Sequence, residues 1–290
     1  MNTLDWPVPS VGNRYARTMS DSRYPHLWEK LAVYYMPSAI PFGSAGQSIL
    51  DLSGNRRNGT VNTGVAINPT GRVGTSISLP GSGSGNAGCI ATGASLGAID
   101  ANMVNEKTYM FWTKPNSAQA SPSVSGTYDG AVIIGDGDGT SGGYGWVCKA
   151  TAGGLDRIWF GNWVGSETRV GSTYTNDQWA HFACVHYAGS IYIYKNGVLQ
   201  ANTTSAATSN SSIGLRWGNN YNNARRFQGL IDDMRIYSRA VSPQEIALSA
   251  AGASPVTPLP KKLYSFGSAV VAASPRRRTP GPSYFWMTRR

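Results

Sequence analysis

Residues 215–227, LRWGNNYNNARRF, gather three aromatic rings, four amides and three guanidiniums in a short span. That chemistry suits a sugar. Trp217 and Tyr221 offer flat faces to pyranose C–H groups, Asn219, Asn220, Asn222 and Asn223 offer paired donors and acceptors, and Arg225 and Arg226 add charged donors. Trp163, in GNWVGSE at 161–167, extends the same rim. A long hairpin loop with one aromatic tucked into the core uses the same residue types, because Asn and Gly are what turns require.

A second group is rich in oxygen. Asp136 and Asp138 in IIGDGDGTSGG, with Asp129 shortly before them, put hard ligands on a Gly-rich loop of the kind that holds Ca²⁺. Ser141 and Val147 stand where an EF-hand loop needs Gly and Glu, which excludes that motif. Catalytic chemistry is harder to assemble. Glycoside cleavage needs carboxylates on alternate positions of one strand, and no E-x-D-x-x-E run exists. Asp232 and Asp233 are adjacent, so in a strand they project to opposite faces and are expected to accept hydrogen bonds from the backbone or from Arg235. His26, His181 and His186 lack a nucleophile signature. Cys89, Cys148 and Cys184 lie far apart without a CxxC, and read as free thiols. The expectation is a protein without catalytic residues or cofactor, Ca²⁺ at 129–138 aside.

The elements that position these groups are strands. Nine Trp, 15 Tyr and 35 Gly against 14% charged residues describe a sheet protein and nearly exclude a helix bundle. Apolar or alternating runs predict strands at 31–36, 76–79, 108–114, 130–135, 145–150, 156–162, 180–187, 190–196 and 229–237. Asn196-Gly197 marks a hairpin turn; around it Ile191 and Ile193 fall on one face, and Tyr192 and Tyr194 on the other. The one clear helix start is Ser242-Pro243 with Glu245 three residues after the serine, a capping box with proline at the first helical position.

The net charge of +10 is not evenly spread: residues 31–251 hold 14 basic and 12 acidic side chains, residues 252–290 seven basic and none acidic. The predicted organisation is therefore an extended arm at 1–29, a nearly neutral domain at 30–251 and a Pro-, Arg- and aromatic-rich arm at 252–290. Trp6, Tyr15, Trp28, Arg276, Arg277, Arg278, Phe285 and Trp286 are the arm residues expected to touch partner proteins, since aromatics and Arg carry most interface energy. So few basic residues predict no specific nucleic-acid binding. No apolar run approaches a bilayer span, and MNTLDWPVPS has neither feature of a secretory leader, so no membrane partner is expected.

The motifs ILDLSGNRRNGTV, DQWAHFACVHYAGSIYIYKNGVLQ and FQGLIDDMRIYSRAVSPQEIALS, in that order over about 30–250, resemble a concanavalin A-like, laminin G-like domain. The resemblance implies an all-β jelly-roll sandwich of two antiparallel sheets with first and last strands adjacent. It leaves function open, because such sandwiches serve as lectins, adhesion modules and particle-surface proteins. RYPHLW at 23–28 and PRRR at 275–278 resemble tailed-bacteriophage copies of the domain. That implies a structural, capsid-decorating or cementing protein at the virion surface, made in the host cytoplasm, docking through its arms on major capsid or other virion proteins and self-associating. The alternative expectation is a carbohydrate-binding or adhesion module recognising a cell-surface glycan through 215–227.

Overall fold

Alternation in the sequence becomes two layers of strands in the computed structural model, which describes residues 18–38, 46–82, 87–118, 130–135, 144–152, 155–163, 167–205, 214–220 and 225–257. The first strands are β1 (Leu31–Tyr35), β2 (Ser48–Ile49), β3 (Gly59–Val61), β4 (Ala66–Asn68), β5 (Ser76–Pro80) and β6 (Ile90–Ala91). A short helix, α1 (Leu96–Ile99), precedes β7 (Lys107–Pro115), β8 (Ala131–Gly135), β9 (Tyr144–Ala152), β10 (Leu155–Trp163) and β11 (Glu167–Thr173). The chain continues through β12 (Ala180–Tyr187), β13 (Ser190–Lys195), β14 (Val198–Thr204), β15 (Arg216–Trp217) and β16 (Gln228–Tyr237) to α2 (Pro243–Ala250).

Two antiparallel sheets result. The first runs β14-β13-β12-β7-β16-β5-β4 with β1 also on β16, and the second β11-β10-β9-β8-β15-β6-β3-β2. First and last strands are adjacent, as the resemblance implies. Each sheet turns alternate residues inward: Tyr109, Phe111, Phe182, Ile191 and Ile193 from one meet Val147, Ile158, Phe160 and Trp217 from the other in one continuous core. The Asn196-Gly197 turn forms as expected, both residues at positive φ, with the β13–β14 hairpin following it.

The loop after β2 shows why its motif has the residues it has. The Asp51 carboxylate accepts the Tyr34, Ser53 and Arg57 amides, and Asn55 donates to the Leu31 and Ala32 carbonyls. This ties 51–57 to β1 and satisfies amides that would otherwise be orphaned.

On its outer side the first sheet carries α2. Ser242 and Glu245 form the predicted capping box, and Arg239 pairs with Glu245 at 2.6 Å. The residues flanking the predicted domain pack here too, so the 30–251 boundaries are too narrow. Leu27 and Val256 are buried, Arg23 N–H donates to the Thr257 carbonyl at 2.8 Å, and Ser22 and Trp28 both donate to the Pro255 carbonyl. Trp28, expected to face a partner, instead lies against the domain's own apolar cluster. Its indole N–H needed an acceptor, and the returning C-terminal segment supplies one.

Candidate functional site

The outer face of the second sheet is built by β9, β10 and β11. Ile158 and Phe160 point into the core, so the residues alternating with them, Arg157, Trp159 and Gly161, belong to the other side. The register sets Trp159 beside Cys148 and Gly171, and Gly161 beside Trp146 and Arg169. Two glycines make room for the indoles. A Cβ at Gly171 would stand 2.7 Å from the Trp159 ring, and one at Gly161 2.5 Å from the Trp146 ring, so each ring lies across a neighbouring strand that has no side chain there. Trp146 is buried in a small apolar cluster with Val132, Cys148 and Ala150, and Trp159 is the half-buried member packed on it.

Charge surrounds these rings. The guanidinium of Arg169 is 4.8 Å and that of Arg157 5.5 Å from the Trp159 ring centroid, within cation–π range. Glu167 steadies Arg169 at 3.2 Å, whereas Arg157 makes no hydrogen bond or ion pair among the described residues. Burial pushes the Cys148 thiol up; Glu167 adds to the shift while Arg169 and Arg225 oppose it. The Arg225 carbonyl accepts the Val132 amide beside this cluster, and Trp163 ends β10 in register with Tyr144 and Glu167.

Three other residues of the predicted sugar-binding rim are buried. Trp217 is wholly buried, its ring edge-on to Phe111 at 5.8 Å, and cannot stack on a ligand. β15 is only two residues long and lies between β6 and β8, so its indole fills the space between the sheets. Asn219 and Asn220 are buried as well; their side-chain oxygens accept the Asn220 and Arg225 amides and close the turn. Tyr221, Asp129, Asp136, Asp138, Trp6, Tyr15, Arg276, Arg277, Arg278, Phe285 and Trp286 lie outside the described residues. Trp146 and Trp159 were missed, although the strand-interior Gly161 and Gly171 beside them were a usable sign of something approaching the backbone.

The first sheet's outer face holds the buried Asp232, Asp233 and Arg235. In β16, Asp233 takes a positive φ where the strand's neighbour changes from β5 to β1, and the register shifts. Asp233 receives Arg235 Nε at 3.0 Å and a second guanidinium nitrogen, and Arg235 also donates to Ser249 and to the Ala253 carbonyl. Burial raises Asp232 to about 7 against the Val73 amide at 2.7 Å, with Asp233 adding to the rise. Both aspartates are buried and serve the fold, as expected. His181, next in the ladder beyond Trp112, is held at about 3 by burial, with Arg235 adding to the shift, and neither ring nitrogen has a hydrogen-bond partner among the described residues.

Two recesses flank α2. One, of about 410 Å³, is lined by Tyr187, Tyr192 and Tyr194 with Val241 and Pro243. The other, of about 440 Å³, is lined by Arg72, Trp112, Trp179, Asn196 and Ala250. Indole and phenol faces beside guanidinium and amide donors can bind a polyhydroxylated ring. Among the described residues no group of three His, Cys, Asp or Glu side chains could hold a metal ion.

A family model described as the concanavalin A-like lectin/glucanases superfamily, Laminin_G_3, matches residues 84–247, more than half of the chain. The chain belongs to this superfamily. Among solved concanavalin A-like structures, domain 4 of AbnA, a GH43 extracellular arabinanase from Geobacillus stearothermophilus in complex with arabinotriose, superposes with a TM-score of 0.55. The identity is 21%, over 76% of this chain and 98% of that one. The binding domain of Paraclostridial Mosquitocidal Protein 1 follows at 0.55 and 18%, over 77% of this chain and 52% of that one. A structure titled for the dependence of botulinum neurotoxin type C cell entry on two ganglioside molecules matches at 0.55 and 16%, over 79% and 52%. This concanavalin A-like chain therefore spans about half the length of the two toxin structures, and all three likenesses are of fold. No curated protein matches it.

Proposed function

We propose that this protein is a non-catalytic carbohydrate-binding domain, and that the outer face of its second sheet receives the sugar. The observation that carries the reading is the Trp159 indole laid across Gly171 between the guanidiniums of Arg157 and Arg169. A ring held in this way has already lost its rotamer freedom, so stacking costs little ordering entropy, and the guanidiniums are placed to donate to hydroxyls around it. Support also comes from the arabinotriose complex and the ganglioside-dependent toxin with which the chain shares its fold. A surface glycan of a cell is the partner class this implies.

The test is affinity electrophoresis and calorimetry over a panel of plant and cell-surface glycans. At least one neutral glycan bound by the full chain should lose about tenfold or more in affinity on Trp159→Ala, with the fold retained by circular dichroism. A panel that stays blank, or one in which no ligand is weakened by Trp159→Ala, overturns the reading.

A second reading, a tailed-bacteriophage decoration protein displayed at the virion surface, has one observation in its favour. The Arg23–Thr257 hydrogen bond holds the described residues next to both terminal segments together on the domain. Co-sedimentation with particles by the full chain, lost on removal of 1–17 and 258–290, is its expected outcome; sedimentation of neither form ends it.

A further inference from the structure

The recess beside the end of α2 differs chemically from the Trp159 face. Its walls come from the β4–β5 loop (Arg72), the middle of β7 (Trp112), the residue before β12 (Trp179), the β13–β14 turn (Asn196) and the last residue of α2 (Ala250). Among the described residues, every uncommitted side-chain polar group of this lining is a donor. The Arg72 guanidinium lies 4.6 Å from the Trp112 ring centroid and makes no hydrogen bond or ion pair among the described residues. Asn196 has already committed its side-chain oxygen to the His181 amide at 2.9 Å, so its NH₂ group is what it offers. Trp112 is 5% exposed, and its indole N–H is buried without an acceptor among the described residues, an unmet demand of the kind folded proteins seldom leave.

Among the described residues no carboxylate lines the recess. Asp232, opposite Trp112 in the ladder, is buried and receives the Val73 amide. A neutral sugar brings hydroxyls that must donate as well as accept, and among the described residues no side-chain carboxylate is there to take their protons. A carboxylate accepts only, at two oxygens whose geometry matches a guanidinium fork, and a pyranose ring beside it can lie against indole. We propose that this recess is a second sugar site, distinct from the Trp159 face and selective for a carboxylate-bearing sugar such as a hexuronate. It shares with the preceding reading only the premise that the domain takes carbohydrate.

Trigalacturonate and its uncharged counterpart, galactotriose, are the probes, titrated by calorimetry and indole fluorescence into the full chain and into Arg72→Gln, Trp179→Ala and Trp159→Ala. Trigalacturonate should bind at least tenfold more tightly than galactotriose, and Arg72→Gln should erase that preference, because a charge-assisted bidentate contact is lost. Trp179→Ala should weaken binding several-fold, and the preference for trigalacturonate over galactotriose should survive in Trp159→Ala. Arg72 and Trp179 are at least partly exposed, so both variants are expected to fold. Equal binding of the two trisaccharides, binding lost on Trp159→Ala but not on Arg72→Gln, or no binding at millimolar concentration overturns the proposal. The second of these outcomes would leave the Trp159 reading intact. Equal displacement of trigalacturonate by inorganic sulfate or a DNA oligonucleotide would reduce the recess to a general anion site and also overturn it.

Discussion

The two sheets share one rule, alternate residues in and out, yet their outer faces have opposite uses. On the first sheet, α2 and the segments around 22–28 and 253–257 close over the face, and Tyr34, Arg235 and Tyr237 are wholly buried there. On the second, the exterior positions hold a four-residue apolar cluster, two indoles over glycines and partly exposed arginines. A charge on the covered face must be matched by a partner inside the protein, because water cannot reach it. A charge on the second face keeps its solvent and can be left for a ligand. The Arg235–Asp233 and Arg157–Trp159 pairs are the two outcomes of that difference.

Removing one guanidinium from each face should give the widest contrast. Arg235→Ala strands a buried Asp233 carboxylate and should cost about 3–5 kcal/mol in urea unfolding. Arg169→Ala breaks the partly exposed pair with Glu167 and should cost under about 1 kcal/mol. Comparable losses would erase the distinction between the faces.

The pH dependence of stability should come next. His181 sits at about 3 in the fold and, with His186 at about 4, titrates near 6.5 when unfolded. The unfolded chain thus binds more protons between about pH 4 and 6.5, and stability is lost as the pH falls through that window, on the order of 1 kcal/mol per pH unit for each histidine. Asp232 works the other way: raised to about 7 in the fold, it binds its proton more tightly there, and its contribution is lost as the pH rises from about 4 to 7. Melting curves from pH 4 to 8 should show His181→Leu flattening the acid loss and Asp232→Asn steepening it. Identical profiles for wild type and both variants would mean that the covered face is open to water.

The smallest effect belongs to a methyl group. Gly171→Ala pushes a Cβ to 2.7 Å from the Trp159 ring, which must lift away. Stability should fall by about 1 kcal/mol, with altered indole emission and several-fold weaker glycan binding. An unchanged emission spectrum would show that the ring does not rest on that glycine.

Much of this architecture was written locally. The nine predicted strands all form, because period-two alternation reports a two-sided environment wherever the run is long enough. Short strands such as β2, β3, β6 and β15 carry too few residues to show a period, and they exist through their neighbours. The same brevity hid Trp217. Two residues cannot reveal which side is core, so an Asn-rich loop made the indole look like a ligand platform.

The sequence alone determined the sheets, the Asn196-Gly197 hairpin, the capped helix and the pairing of Asp233 with Arg235, all of which rest on spacings of a few residues. Tertiary structure decided which tryptophans meet solvent, which face is covered, and that Arg72, Trp112, Trp179 and Asn196 share one recess. Those outcomes depend on segments far apart in the chain, and local spacing carries no record of what packs over a strand's outer side.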